Sequence, residues 1–176
     1  GIQTLRAKEN FNITKTDISL FPNFIKSLAK VKKACALTNF ELGDLTDIQK
    51  DAIVQACNEI IDGKFHDQFI VDPIQGGAGT STNMNANEVI ANRALEILGH
   101  PKSSYNIIHP NNHINMSQST NDVYPTAIKL TLHELIYKLK DALRFLRDYK
   151  KEKAIEFKDV LKMGRTQLQD AVPMTL

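Results

Sequence analysis

Apolar residues recur at helical spacing through most of this chain, interrupted by glycines and by runs of small polar residues. The first periodic stretch is interleaved with lysines, among them Lys32, which we place on a face of an amphipathic helix that points away from the core. A second helix is predicted to begin after Thr46, which has Gln49 at capping-box spacing, and to stop at Gly63. Residues 1–20 show little periodicity, so we predict an extended or irregular lead-in there.

A glycine-rich turn at 76–79 is followed by a cluster of hydroxyl and amide side chains and then by a third helix, which we expect to reach Gly99. Glycines in such a turn let the backbone approach a ligand closely. The turn lacks both the Gly-Lys-Ser/Thr of a Walker loop and the spacing of a dinucleotide fingerprint, so it predicts no nucleotide site. A glycine loop with capping polar residues is the alternative interpretation.

The longest apolar stripe follows Asn121 and predicts a helix of roughly 30 residues. One small domain cannot cover so long a helix, and the width of the stripe indicates neighbours on more than one side. We therefore predict a mainly α fold, with a helical domain over residues 1–115 and the first part of an elongated helical bundle over residues 116–176. The stripe also indicates bundling between subunits.

Composition and charge narrow the class of partner. Lys and Arg number 22 against 20 Asp and Glu, a formal charge of +2 that is too small for a nucleic-acid footprint without a basic patch. No apolar run is long enough to predict a membrane partner. Cys35 and Cys57 fall within helical patterns without metal-type spacing, so we expect buried, reduced thiols, which favours the cytoplasm.

A run of small polar residues at 117–126 precedes the long helix and predicts an anion-binding helix start. Ser119, Thr120 and Asn121 are typical of helix N-termini, and Pro125 suits a first turn, where its missing N–H leaves nothing unsatisfied. The first N–H groups of a helix point outward with the positive end of its dipole, so a carboxylate placed there gains charge-assisted hydrogen bonds. A capping run without a ligand is the alternative.

His109 and His113 are four residues apart, a spacing that metal ligands on a helix can show. Pro110 and two asparagines make the interval a predicted loop, and no third ligand is evident, so we predict no metal site. An exposed polar turn is the simpler interpretation of this segment.

Three separated runs, at 79–89, 117–127 and 164–176, together resemble the aspartase/fumarase superfamily in order, spacing and character. Within it, the chain is most similar to the ammonia-lyases that act on L-aspartate. Fumarases of the superfamily typically carry Ser at the position of Thr120 and His at that of Gln167. A fumarase, or a non-catalytic structural relative of the superfamily, is the alternative reading.

The resemblance implies a reversible anti-elimination of ammonia from L-aspartate to give fumarate, without an organic cofactor. The intermediate is an aci-carboxylate with doubled negative charge, which is why donors rather than an acid/base pair dominate the recognisable runs. By the same resemblance, the substrate-binding residues are Thr80, Ser81, Ser119, Thr120, Asn121, Thr166 and Gln167, the last two serving a neighbouring subunit. His109, Asn111 and Asn112 resemble a secondary anion site of the fumarases.

The catalytic base of the superfamily is a serine in a glycine-rich loop that has no counterpart in these 176 residues. The resemblance therefore implies an N-terminal portion of a lyase that holds no catalytic base and is inactive alone. It also implies that a further helix starts at the end of this chain. The resemblance implies that the parent protein acts on a small dicarboxylate, with activation by a divalent cation left open. The long apolar stripe leads us to expect a homotetrameric parent whose core is built from such helices.

Overall fold

The computed structural model describes residues 1–175 and is mainly helical, as predicted. Short 3₁₀ turns occupy Ile18–Leu20 and His66–Gln68, and a π-helical turn occupies Pro110–Ile114. The helices are α1 (Ile2–Asn10), α2 (Pro22–Glu41), α3 (Asp47–Ile61), α4 (Thr80–Ile97) and α5 (Thr120–Glu156), and the strands are β1 (Leu161–Thr166) and β2 (Gln169–Thr175).

Contacts divide the chain into two compact units, Gly1–Leu132 and His133–Leu176. This division concerns contacts within the chain alone, so the predicted domain boundary after residue 115 stays a prediction. The first unit holds α1 to α4 and the start of α5, and the second holds the rest of α5 and a β-hairpin.

The prediction of an extended or irregular lead-in is wrong over its first half, where α1 forms. The carboxylate of Glu88, on α4, accepts hydrogen bonds from the backbone N–H groups of Gln3 and Thr4, both at 2.9 Å. These are orphan donors of the first turn, so α1 is capped by a residue far away in the sequence. Thr4 and Ala7 turn inward from this short helix, which is mainly polar in composition.

The core of the first unit lies between α2, α3 and α4. The capping box of α3 is confirmed, since Gln49 N donates to Thr46 Oγ1 at 3.3 Å and Thr46 N donates to Gln49 Oε1 at 3.2 Å. Ile48, an apolar residue in the first turn of α3, is 67% exposed and does not belong to this core. The fully buried apolar side chains of this core include Ile25, Ile53, Ala56, Cys57, Ile60, Ile90, Ala94, Leu95 and Ile108.

The prediction that Lys32 faces away from the core is wrong, because its side chain lies in the core and is only 1% exposed. Its Nζ atom donates to Asn115 Oδ1 at 3.0 Å and to Gln118 Oε1 at 2.9 Å. Both acceptors lie on the segment between the π-helical turn and α5, so a lysine on α2 anchors the approach to the long helix.

The start of α5 packs on α2 through apolar and aromatic contacts. Val123 and Ala127 are buried against Leu28, and the rings of Phe24 and Tyr124 meet edge to face at a centroid distance of 5.5 Å. The helix begins close to the predicted position and runs for 37 residues. Pro125 lies inside it, beyond the first turn, where the proline leaves a backbone carbonyl of the preceding turn without its helical donor.

In the second unit, α5 carries exposed apolar side chains along one stripe, and the chain then forms a hairpin. Strands β1 and β2 pair antiparallel from Leu161 opposite Thr175 to Thr166 opposite Gln169, with an irregularity between Met163 and Arg165. The helix expected at the end of the chain is therefore not found up to residue 175, and Leu176 lies outside the described residues. The exposed stripe comprises Leu135, Ile136, Leu139, Leu143, Leu146 and Tyr149.

Candidate active site

The starts of α4 and α5 come together in the first unit. Asn83 Nδ2, in the first turn of α4, donates to Thr120 Oγ1, the first residue of α5, at 3.2 Å. Gly79, which precedes α4, has φ +89° and lies so close to the ring of Tyr124 that a Cβ atom there would overlap it. Two of the predicted binding runs are therefore adjacent, although they are separated in the sequence.

The start of α4 leaves backbone donors available. The first helical hydrogen bond of α4 is from Asn83 N to Gly79 O at 3.0 Å, and no side chain caps the helix from Gly79. Gln75 reaches back from the glycine turn, since its Oε1 accepts from Thr82 N at 3.0 Å and its Nε2 donates to Thr82 Oγ1 at 2.7 Å. Thr80 is exposed and Ser81 half-buried, with helix-start N–H groups that point outward.

The start of α5 is organised by Ser119. Its hydroxyl oxygen accepts from Asn121 N at 3.2 Å, and its carbonyl accepts from Asp122 N and Val123 N, both at 3.1 Å. The Ser119 hydroxyl hydrogen stays available to an acceptor in solution. Ser119 and Asn121 are exposed, whereas Thr120 is half-buried against α4.

A buried polar cluster of uncharged amides and one lysine lies beneath the two helix starts. Asn115 Oδ1 accepts from Lys32 Nζ at 3.0 Å, from Asn83 Nδ2 at 2.9 Å and from Asn87 Nδ2 at 3.2 Å. The amide oxygens of Asn83 and Asn87 have no hydrogen-bond partner among the described residues. Gln118 completes the cluster, because its Nε2 donates to the carbonyls of Ile114 and Met116 while its Oε1 accepts from Lys32.

Lys32 is the titratable group of this cluster. Burial lowers the pKa of Lys32 to about 7, and the nearby thiols of Cys35 and Cys57 counter that effect only in part. Burial also raises the pKa of the Tyr124 hydroxyl, beside the glycine turn. Asp122 is the carboxylate in the first turn of α5, and carboxylate side chains form none of the hydrogen bonds described for the two helix starts. The exposed N–H and hydroxyl groups of these starts are donors of the type that binds anions.

Thr166 and Gln167 lie in the second unit, at the end of β1 and in the hairpin turn. Thr166 Oγ1 donates to Gln169 O at 3.3 Å across the turn, and both side chains are exposed. Leu168, the other turn residue, has φ +71°. The predicted binding role of Thr166 and Gln167 stays a prediction.

The segment of the predicted secondary anion site is bonded within itself. Nδ1 of His109 accepts from Asn111 N at 3.0 Å and from Asn112 N at 3.3 Å, and Nδ1 of His113 accepts from His109 N at 2.8 Å. Burial, with a smaller contribution from His109, lowers the pKa of His113. Two backbone donors that an anion would need are thus used by His109, and the anion site stays a prediction.

Within residues 1–175, no group of three or more His, Cys, Asp or Glu side chains could hold a metal ion. No helix in that range is long and apolar enough to cross a membrane. Both cysteines are free thiols as predicted; Cys57 is buried and Cys35 half-buried.

Sequence reasoning missed the cluster beneath the helix starts. Asn83 and Asn87 belong to a recognised run, and Gln118 stands at the start of another, but none was assigned a role. The available signal was the spacing of these asparagines, since residues four apart share one face of a helix and amides on an inward face need partners. Nothing local in the sequence marks Lys32 for burial, since the other lysines of the same helix are not buried.

The fold is that of a mainly helical protein whose two adjacent helix starts carry hydroxyl and N–H donors, and comparison with known proteins gives its family. A family profile described as Lyase matches residues 1–176, so the chain belongs to this lyase family.

Curated relatives are similar to this chain over its whole length. It is 61% identical over 176 residues to an aspartate ammonia-lyase of Helicobacter pylori strain J99 and 58% identical to one of Bacillus subtilis. It is 52% identical over 177 residues to an aspartate ammonia-lyase of Escherichia coli K12. The chain spans 38% of the length of the first of these relatives and 37% of the other two. These matches confirm the predicted superfamily.

Solved structures agree in fold. A structure from Brucella melitensis described as fumarate lyase:delta crystallin, bound to cobalt, is 56% identical with a TM-score of 0.87, and the match covers 100% of this chain and 38% of that one. A class II fumarase from Schistosoma mansoni is 43% identical with a TM-score of 0.82, and its match covers 99% of this chain and 36% of that one.

Proposed function

We propose that the full-length protein to which this chain belongs catalyses the reversible deamination of L-aspartate to fumarate and ammonia. The observation that carries the proposal is the junction of the α4 and α5 starts, where Asn83 meets Thr120. Outward-facing hydroxyls and helix-start N–H groups surround that junction and match a carboxylate. The aspartate ammonia-lyases that are 52–61% identical to the chain support L-aspartate as the substrate.

In the proposed reaction, a base removes a proton from the carbon next to one carboxylate, and the electron pair moves into that carboxylate. The resulting aci-carboxylate carries two negative charges. Collapse of this intermediate forms the carbon–carbon double bond and breaks the carbon–nitrogen bond, so that ammonia leaves. Donors placed in advance at the developing charge lower the barrier most, because they need no reorganisation when the charge appears.

We assign the donors at this site to Thr80 and Ser81 on α4 and to Ser119, Thr120 and Asn121 on α5. Their hydroxyl and amide groups are neutral, so they stabilise charge without competing for the proton. Thr166 and Gln167 are proposed to serve the site of a neighbouring subunit. The proton-removing base is assigned to a part of the full-length protein outside these 176 residues.

The proposal includes a homotetramer in the cytoplasm, with a small dicarboxylate as the ligand. The exposed apolar stripe of α5 in the second unit needs a covering surface, because soluble proteins rarely expose large contiguous apolar surfaces, and helices of neighbouring subunits are the cover that we propose.

The alternative function is that of a fumarase, which the 43% identity to a class II fumarase favours. The two functions differ in the leaving group, ammonia or water, and the full-length protein can be assayed by fumarate absorbance with L-aspartate or L-malate. We expect fumarate from L-aspartate and none above background from L-malate. Turnover of L-malate alone would contradict the proposal, and turnover of neither would favour a non-catalytic relative.

A matched variant ties the activity to the junction. Thr120→Val keeps the shape and removes the hydroxyl, and we expect it to lower kcat/KM for L-aspartate by about 10- to 100-fold, the range of a hydrogen bond to a charged group. Thr126→Val, at an exposed position of the same helix, is the control. The 176-residue chain alone is expected to be inactive, because positioned acid/base groups contribute about 10² to 10⁴-fold and no base is assigned within it.

A further inference from the structure

The buried cluster beneath the helix starts fixes the direction of each of its hydrogen bonds. Lys32 sets the first of them, because an ammonium group donates only. Its Nζ atom lies 3.0 Å from Asn115 Oδ1 and 2.9 Å from Gln118 Oε1, so both amide oxygens face the lysine. A neutral amine would also donate to these two oxygens, so the directions hold on both sides of the lysine's titration.

The orientation of Asn115 is fixed a second time from its other end. Its Nδ2 donates to the backbone carbonyl of Gln118 at 3.1 Å, and a carbonyl only accepts. The amide of Asn115 therefore cannot turn over without placing its oxygen against another oxygen. Its Oδ1 stays directed into the cluster, where it accepts from Lys32, Asn83 and Asn87.

The orientation of Asn83 follows from that of Asn115. Because Asn115 presents an oxygen at 2.9 Å, Asn83 must present its NH₂ group. The second hydrogen of the same group then points to Thr120 Oγ1 at 3.2 Å. This orientation leaves Asn83 Oδ1 buried without a partner among the described residues, in a side chain only 1% exposed. An unsatisfied buried acceptor costs free energy. The flipped amide would lose both donated bonds and place two oxygens against each other, so the observed orientation is the more stable one.

The hydrogen bond from Asn83 Nδ2 to Thr120 Oγ1 determines what the Thr120 hydroxyl can do. A hydroxyl that accepts from Asn83 keeps its own hydrogen for another acceptor. None of the described residues accepts that hydrogen, and Thr120 is half-buried at the exposed junction of α4 and α5. The hydroxyl is thereby biased toward donation to an incoming ligand.

We propose that Asn83, held by Lys32 through Asn115, is a positioning residue that presents the Thr120 hydroxyl as a hydrogen-bond donor to a carboxylate oxygen of the ligand. This inference rests on the proposed function, because it takes Thr120 to contact the substrate. It also explains which group of the ligand faces Thr120. A carboxylate accepts a hydrogen bond from the Thr120 hydroxyl and is bound more tightly there, whereas an ammonium group cannot accept one.

The test is a double-mutant cycle in the full-length protein, with succinate as the probe and dissociation constants from titration calorimetry. Succinate has both carboxylates but neither the amino nor the hydroxyl leaving group, so its binding does not depend on which lyase reaction is correct. The variants are Thr120→Val, Asn83→Leu and the double variant. Asn85→Leu is the control, because Asn85 is a buried asparagine of α4 that bonds instead to Gln68 O and Ile70 N.

We expect Thr120→Val to weaken succinate binding by about 10- to 100-fold and Asn83→Leu by about 3- to 10-fold. The double variant should match Thr120→Val within about twofold, because Asn83 has nothing to orient once the hydroxyl is gone. Asn85→Leu should stay within about twofold of the parent protein. A residue that only stabilised the fold would weaken binding equally in both backgrounds.

The outcomes separate the two proposals. If Thr120→Val leaves succinate binding unchanged, Thr120 is not at the ligand site and the proposed site fails. If Thr120→Val weakens binding but Asn83→Leu does not, or if the two losses multiply in the double variant, the site stands and the positioning role is overturned. Should Asn83→Leu fail to fold, Asn83→Ala carries the same comparison with less added bulk.

Discussion

At the scale of single residues, two buried carboxylates of the first unit bind backbone rather than lysine or arginine. Glu88 caps α1, and Asp72 accepts from the backbone N–H groups of Ile13 and Thr14 at 3.1 and 2.6 Å. Each ties the N-terminal segment to the glycine turn or to α4, the elements that carry half of the candidate site. Residues outside the site thus hold its scaffold in place.

We expect Glu88→Gln to loosen α1. Gln retains one acceptor oxygen but loses the charge, and hydrogen bonds to a charged group contribute about 1.5–3 kcal/mol. Amide hydrogen exchange of the full-length protein, followed by mass spectrometry, should show lower protection in peptides from α1 and unchanged protection in α3. Glu41→Gln, at an exposed position, is the control. Equal protection of α1 in both variants would contradict the capping role.

The same carboxylate predicts a pH dependence. Burial raises the pKa of Glu88, but hydrogen bonds from the Thr4 side chain and from the backbone of Gln3 and Thr4 outweigh burial, so the pKa lies below its ordinary value. A lowered folded-state pKa stabilises the protein above the unfolded value of about 4.3, and this stability is lost as the pH falls through the folded pKa. The difference in α1 protection between parent and Glu88→Gln should therefore shrink on acidification.

The Cys57 thiol is predicted to be unreactive in the native protein. Burial raises its pKa to about 12, against the opposing effect of nearby Lys32, and the thiolate is the reactive form. With iodoacetamide at pH 8, peptide mapping should find Cys57 unlabelled in the native protein and labelled in urea. Half-buried Cys35 provides the internal comparison. Labelling of Cys57 at the same rate in both conditions would contradict its burial.

At the scale of elements, the site depends on how closely α4 approaches α5, and Gly79 sets that distance. A Cβ atom at Gly79 would overlap the Tyr124 ring, and φ is +89° there. We expect Gly79→Ala to weaken succinate binding more than about tenfold, since both the backbone cost of about 1–2 kcal/mol and the displaced ring act at the junction. Calorimetric titration of the full-length protein with succinate measures the change in dissociation constant.

Gly99 provides the matched control for that substitution. It also has a positive φ, +75°, but nothing lies within 4 Å of a Cβ atom placed there. Gly99→Ala should therefore have the same type of backbone cost and leave the succinate dissociation constant within about twofold. Similar loss in both variants would mean that the approach of Tyr124 is not what matters.

At the scale of the whole molecule, the exposed apolar stripe of the second unit carries the proposal of an oligomer. Leu139 is 57% and Leu143 53% exposed on this chain alone. We expect Leu139→Lys with Leu143→Lys to lower the sedimentation coefficient of the full-length protein, because buried unpaired lysines are unfavourable in an apolar interface. Glu152→Lys, an exposed charge change elsewhere on α5, should leave it unchanged. A monomeric parent protein would remove the proposal.

Local signals in the sequence were sufficient where a short segment satisfies its own backbone. The Thr46–Gln49 capping box, the glycines that follow α3 and α4 and the position where α5 starts are examples, because each depends on neighbouring residues or on one face of one helix. The motif runs also identified the hydroxyls and amides at the starts of α4 and α5. The family of the protein was predictable for the same reason, because the spacing of these runs along the chain is visible in the sequence.

Only the tertiary structure decided which residues meet. Helix α1 forms with a cap from Glu88, Lys32 is buried because Asn115 and Gln118 accept its hydrogen bonds, and Asn83 reaches Thr120 because α4 and α5 start side by side. The hairpin at the end of the chain likewise depends on pairing between strands. Hydrogen bonds between distant segments and the burial they permit depend on three-dimensional packing, which no local pattern of apolar and polar residues encodes.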